Sequence, residues 1–160
     1  MGYAVRNDGL GFRAVDSADD CIAGEIYRDE LPTPWPPVPT LTQAQDVQLA
    51  VLYASYQAAT QVDVNHTSVA RVAATYDADS TSQLTLLVAT TGYNLAGATP
   101  KGFYWLSADN RQVPFELPDL KGLYASMLAQ GNIAFSKLQT LKAEVRAATT
   151  VAAVQAITWI

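Results

Sequence analysis

At 160 residues the chain is long enough for one ordinary domain or two small ones, and 49% of its residues are apolar, enough for a real core. Only 16% are charged, and 15 acidic against 10 basic side chains leave a net charge of -5, with a pI of about 4.6. That balance argues against nucleic acid as a partner, because phosphate neutralisation needs a basic face. The lone Cys21 cannot close an internal disulfide, and Cys21 with the single His66 falls two ligands short of a tetrahedral zinc site.

No apolar run approaches the roughly 20 residues of a spanning helix. The opening MGYAVRNDGLGF carries no apolar leader segment, so a folded cytosolic protein with no membrane partner is expected. Charge is uneven: residues 1–30 sum to -4 and residues 117–160 to +2. Solvated surfaces explain this as well as an orientation of one copy against another does, so a homo-oligomer stays open.

Residues 3–6 (YAVR) and 11–15 (GFRAV) are β-formers around Asn7-Asp8-Gly9, a hairpin signal, and Gly24–Arg28 reads as a third strand after the polar turn 17–20. Residues 1–30 thus form a small β-rich domain. LPTPWPPVPT follows, and its five prolines make residues 31–40 a stiff linker that holds Trp35, since proline lacks the backbone donor and fixes φ. Residues 41–61 read as a helix, rich in Ala, Gln and Leu, with Val47, Val51, Ala54 and Ala58 at helical spacing and Thr40 or Thr42 as N-cap.

Residues 62–160 then read as an α+β domain in which hairpin and helix alternate. Two strands around Asn65-His66 lead into a helix entered at Asp79 or Ser80 and closed near Gly92. Residues 102–106 and 112–115, joined by a turn at Ala108-Asp109-Asn110, repeat the order and lead into a long helix from Pro118, which suits a first turn. Leu120, Tyr124, Met127, Gly131, Ala134, Leu138, Leu141 and Val145 form a heptad-like seam along it. Leu123, Leu128 and Phe135 lie off that seam, so the helix is covered on more than one side, by its own domain or by a partner. Thr149-Thr150 breaks the chain before a short helix through Ile157.

Candidate chemistry is sparse. His66, the one base for a nucleophile, falls in the polar sequence Asn65-His66-Thr67, where an exposed histidine is the ordinary finding. Asp77 and Asp79 read as a helix entry, since a calcium loop needs more ligands and a turn glycine. Asp63 and Glu116 carry no spacing signal for paired carboxylates, and Gly9-Leu10-Gly11 lacks the third glycine of a dinucleotide fingerprint. Cys21, with no basic neighbour in sequence, reads as inert. No catalytic residue, cofactor or metal is expected, and the chain is read as a non-enzyme.

The C-terminal part resembles the domain that recurs in tail fibre and tail fibre assembly proteins of bacteriophages and prophages. The resemblance rests on Trp105, Ala108-Asp109-Asn110, the helix opening before Leu120, the Ala-rich basic stretch Leu141–Ala148, and Thr150–Ile157 as T-V-x-x-V-x-A-I. YDADSTSQLTLL at 76–87 looks like the same family's upstream helix entry. The match spans residues 60–158, while MGYAVRNDGLGFRAV with GEIY resembles a small N-terminal domain of other phage tail proteins. The resemblance implies a tail fibre assembly chaperone in the bacterial host cytoplasm that binds the distal end of the fibre and assists its folding and trimerisation. The alternative is a structural tail or fibre subunit retained in the virion or in a phage-tail-like bacteriocin particle. The resemblance supplies no contact residues. Tyr3, Phe12, Tyr27 and Trp35 of the acidic N-terminal part are the hypothesis for the partner-binding face.

Overall fold

The computed structural model describes residues 1–9, 11–31, 33 and 38–160. The chain is α+β and divides into two compact units, Met1–Ala44 and Gln45–Ile160. The first unit is a three-stranded antiparallel sheet of β1 (Gly2–Arg6), β2 (Phe12–Val15) and β3 (Glu25–Arg28), with β1 in the centre. Asn7-Asp8-Gly9 turns β1 into β2 as its composition requires. Gly9 takes φ 71° and its amide donates to the Arg6 carbonyl at 2.9 Å, while Arg6 N donates to Gly11 O at 3.0 Å. A single 3-10 turn, Ala18–Asp20, carries the chain toward β3. The Arg13 guanidinium on β2 grips the Glu25 carboxylate on β3 with two hydrogen bonds, 3.1 and 2.8 Å, across the central strand. Pro32, Pro34, Trp35, Pro36 and Pro37 lie outside the described residues, and with them half of the expected linker.

Helix α1 (Leu41–Ala59) begins with a capping box that singles out Thr40: Gln43 N donates to Thr40 Oγ1 at 3.2 Å, and Thr40 N to Gln43 Oε1 at 2.8 Å. The apolar stripe that marks this helix in the sequence is not its buried one. Val47 and Val51 are 64% and 51% exposed, whereas Leu52 is fully buried on the other side. Glutamine amides explain the orientation. Gln45 Nε2 donates to the carbonyls of Val145 and Ala148 at 3.1 and 3.4 Å, and Gln48 Nε2 to that of Ile157. The last carbonyls of a helix have no partner within it, and Gln45 supplies one to the end of the longest helix.

Two hairpin–helix repeats follow. β4 (Val64–Thr67) and β5 (Ala73–Tyr76) lead into α2 (Ser80–Ala96), and β6 (Tyr104–Leu106) and β7 (Gln112–Pro114) into α3 (Leu117–Ala147). The repeat is closer than the order of elements alone suggests, because both hairpins use the same five-residue loop. In Ser68–Val72 and Ser107–Arg111 the serine amide donates to the carbonyl of the fifth residue at 3.0 Å. In both, the fourth amide donates back to the serine carbonyl at 2.8 Å, and the fifth amide to the serine hydroxyl, at 3.3 and 3.2 Å. Both serines are buried, and the fourth residue is left-handed, Arg71 at φ 61° and Asn110 at φ 60°. The first turn is therefore at Ser68–Val72, not around Asn65-His66, and His66 stands in a strand: each loop needs its buried serine, and neither Asn65 nor His66 supplies one.

The loops also clasp the opposite repeat. Val69 N donates to Asp119 Oδ1 at 2.7 Å, and Ala108 N to the Thr75 carbonyl at 2.8 Å. Arginine has no side-chain device to ease the left-handed conformation that asparagine tolerates at the matching position. Arg71→Gly is expected to raise stability by about 0.5–1 kcal/mol, less than the strain relieved because glycine costs entropy. A urea midpoint that falls instead would mean that the Arg71 side chain is held by more than the turn.

Between the hairpins and the two helices lies the core of the second unit: Val64, Tyr76, Leu86, Val113, Phe115, Leu120, Leu123 and Met127, with Trp105 and Phe103 at its margin. Helix α2 runs through Gly92 and is closed by Gly97, which takes φ 84°. A helix-interior glycine costs only about 1 kcal/mol, and the turn beyond it is held by Tyr93, whose ring meets Phe103 edge-on at 5.0 Å. Asp79 caps α2, accepting the amides of Thr81 and Ser82 at 2.8 and 3.2 Å. The Ser82 hydroxyl, donating to the same carboxylate, holds it below the usual carboxylate range. Along α3 the expected seam is inside, with Leu120, Met127, Ala134, Leu138 and Val145 buried; Leu123 is buried as well, while Leu128 and Phe135 are open. Thr150 caps the short α4 (Val151–Gln155) through its hydroxyl, which accepts from Ala153 N at 3.1 Å. No helix among the described residues is long and apolar enough to cross a membrane.

Candidate functional site

Two of the four residues expected to contact a partner stand together. By strand alternation and register, Tyr3, Val5, Phe12 and Ile26 share one face of the first sheet, and Gly2, Ala4, Val15 and Tyr27 the other. The Tyr3 and Phe12 rings meet edge to face, centroids 5.6 Å apart, over the buried Val5, and Phe12 and Ile26 remain half-exposed. Tyr27 does not join them. Its hydroxyl lies over Gly2, where a Cβ would be only 2.5 Å away, so a side chain at position 2 has no room. Burial first, then the Asp29 carboxylate, push the Tyr27 phenol above its usual value. Trp35 lies outside the described residues.

A larger surface went unpredicted. In the second unit, α1, α2 and α3 border an open uncharged groove of about 590 Å³, with Tyr56, Leu84, Leu87, Leu128 and Phe135 in its lining beside Thr60, Ser80, Gln83 and Asn132, and Gly131 within it. Tyr56 joins Tyr53 to Phe135, at centroid distances of 5.9 and 6.5 Å. Gln83 braces the groove from below, donating to the carbonyls of Thr60 and Ala78 at 2.8 and 2.7 Å. The signal lay in the absence of charge: 47–62, 80–100 and 122–136 contain no Asp, Glu, Lys or Arg, and these three stretches supply the three walls. Leu128 and Phe135, off the seam in the sequence, are the residues that open onto it.

The remaining polar cluster is the clasp at the start of α3. Asp119 is buried, its Oδ1 taking Val69 N and its Oδ2 taking Glu116 N at 2.8 Å. It thereby ties the first hairpin loop to the first turn of α3, where a negative charge also meets the positive end of the helix dipole. His66 points at the same carboxylate, Nε2 to Oδ1 3.7 Å, and is largely buried, not exposed in a polar turn. Its ring packs between Tyr76 and Phe115, centroids 6.4 and 5.8 Å away, and against Gly122, where a Cβ would come within 2.8 Å of Cε1. At 3.7 Å the two groups are too far apart for a hydrogen bond. Burial, and next the Asp119 charge, push the Tyr76 hydroxyl above the ordinary phenol value. His66 Nε2 has no hydrogen-bond partner among the described residues, and the Asp119 carboxylate joins the first hairpin loop to the start of α3. Among the described residues no group of three or more His, Cys, Asp or Glu is placed to hold a metal ion.

No curated protein and no solved structure matches the chain. Residues 43–158 match a family model described as Domain of unknown function (DUF4376). The matched stretch begins in the first turn of α1 and ends beyond α4, taking in both hairpin–helix repeats and the uncharged groove but not the Tyr3–Phe12 pair. With well over half of its length matched, the chain belongs to the DUF4376 family.

Proposed function

We propose that the protein is a tail fibre assembly chaperone of a bacteriophage or prophage, acting in the bacterial host cytoplasm on the distal end of the fibre. The observation that carries the reading is the Tyr3–Phe12 pair, set edge to face beside the half-exposed Ile26 on the sheet of the first unit. The resemblance of the C-terminal part to fibre assembly proteins adds to it. Aromatic side chains with few rotatable bonds are the usual anchors of a protein interface. A fibre tip before trimerisation presents apolar surface and unpaired strand edges, which aggregate unless covered. On this reading Tyr3, Phe12 and Ile26 cover the client. Tyr27 supports the sheet from the opposite face.

Co-expression with the fibre protein encoded alongside tests the reading. The fibre is expected to become soluble and trimeric only when this chain is present, and Phe12→Lys is expected to reduce its co-purification at least tenfold. A fibre that is soluble and trimeric without the chain would sink the chaperone reading. Undiminished co-purification with Phe12→Lys would remove the client from this face. Mass spectrometry of purified particles decides the alternative, since the chain at fibre-like stoichiometry would make it a structural subunit.

A further inference from the structure

We propose that the uncharged α1–α2–α3 face is an interface between two copies of this chain. Three observations on that face support the proposal. The first is area. Tyr53, Leu84, Leu128 and Phe135 are each roughly half open or more, Leu84 at 60% and Leu128 at 56%, and Tyr56 and Leu87 extend the patch. At on the order of 100 Å² exposed per residue they present about 600 Å², two tyrosine hydroxyls included. That lies at the upper end of the roughly 300–600 Å² of the largest patch on an ordinary monomer and is a large part of the 800 Å² or so that each partner contributes to a stable interface.

The second observation is shape. Leu84 and Leu87 on α2 and Leu128 and Phe135 on α3 stand beside a groove of about 590 Å³. Gly131 leaves a notch in it, with no atom within 4 Å of where its Cβ would be. One surface therefore carries both ridge and recess, the self-complementarity that a two-fold interface requires.

Charge decides the occupant. Each copy carries a net charge of -5, so two copies repel unless they meet where charge is absent. The three stretches that wall the groove, 47–62, 80–100 and 122–136, are free of Asp, Glu, Lys and Arg. An uncharged face lets two like-charged copies meet without setting like charges against each other. The inference does not depend on the client proposed above, because the groove lies in the second unit and the Tyr3–Phe12 pair in the first.

Light scattering on the full chain after size exclusion tests it, at about 50 µM, above the dissociation constant of a micromolar dimer. The expected mass is twice the 17.2 kDa of one chain. Leu84→Glu and Leu128→Glu, each at an exposed position, are expected to give the monomer mass with an unchanged circular dichroism spectrum. Gly131→Gln fills the notch without charge, in a residue that favours helix, and is expected to weaken the dimer at least tenfold. A wild-type chain that is monomeric at this concentration overturns the proposal, as does a trimer or a dimer that survives all three substitutions. If the wild type is monomeric and Leu128→Glu abolishes fibre co-purification, the groove belongs to the client, and only the dimer is lost.

Discussion

Asp119→Ala is expected to lower the unfolding free energy of the second unit by about 3–5 kcal/mol, the scale for two buried amides that lose a charged acceptor. Its carboxylate takes Val69 N at 2.7 Å from one element and Glu116 N at 2.8 Å from another, and alanine replaces neither bond. A hydrogen bond to a charged acceptor contributes about 1.5–3 kcal/mol, and an amide left without a partner costs its desolvation. The negative charge at the helix start adds up to about 1 kcal/mol more. Asp119→Asn keeps one acceptor oxygen and drops the charge, so about half of the loss is expected. Urea denaturation of both variants gives the comparison, and a loss below about 1 kcal/mol for alanine would show that water satisfies both amides. A second readout is independent of stability. The Asp119 charge helps hold the Tyr76 phenol above its ordinary value, so in folded Asp119→Asn the Tyr76 titration is expected to move down toward that value.

Phe115→Ala is the other large effect, again about 3–5 kcal/mol. The side chain is 2% exposed and stands where the two repeats meet, with His66 and Tyr76 of the first at 5.8 and 5.4 Å and Trp105 of the second stacked at 6.4 Å. Alanine removes a buried aromatic from between three rings, and those rings are held by two hairpins that clasp each other, so the cavity can close only in part. Phe115→Leu retains most of the volume and is expected to cost under about 2 kcal/mol. Near-ultraviolet circular dichroism, which reports the packing of Trp105 and Tyr76, is expected to weaken in the alanine variant before the backbone signal does. A loss under about 1.5 kcal/mol would mean that the repeats pack independently and that the clasp does not confine the cavity.

What was legible in the chain order was local. Asn7-Asp8-Gly9 turns the first hairpin, Asp79 and Thr150 cap their helices, Pro118 enters α3, and the fours and threes from Leu120 to Val145 give that helix a buried side. Each of these signals acts within a few residues, through a fixed φ, a side chain reaching the next turn, or the pitch of a helix. The candidate site was legible only in part. Tyr3 and Phe12 stand together because strands pair in register from a turn whose type is written in the sequence. Tyr27 sits on the opposite face because β3 pairs with β1 in a register that places it opposite Ala4.

The elements and their order were therefore determined by the sequence itself, since propensity, capping and turn chemistry need no distant partner. Tertiary structure decided which sides of those elements face inward. Val47 and Val51 on α1 lie outside because Gln45 and Gln48 find carbonyls in 145–157, about a hundred residues away. His66 is largely buried because Asp119 and Gly122 of α3 make a place for it. The groove exists because three uncharged stretches, far apart in the chain, come to border one space. A side chain's burial depends on partners that periodicity does not identify, so one apolar helix pattern reads alike whether its own fold or another chain covers it.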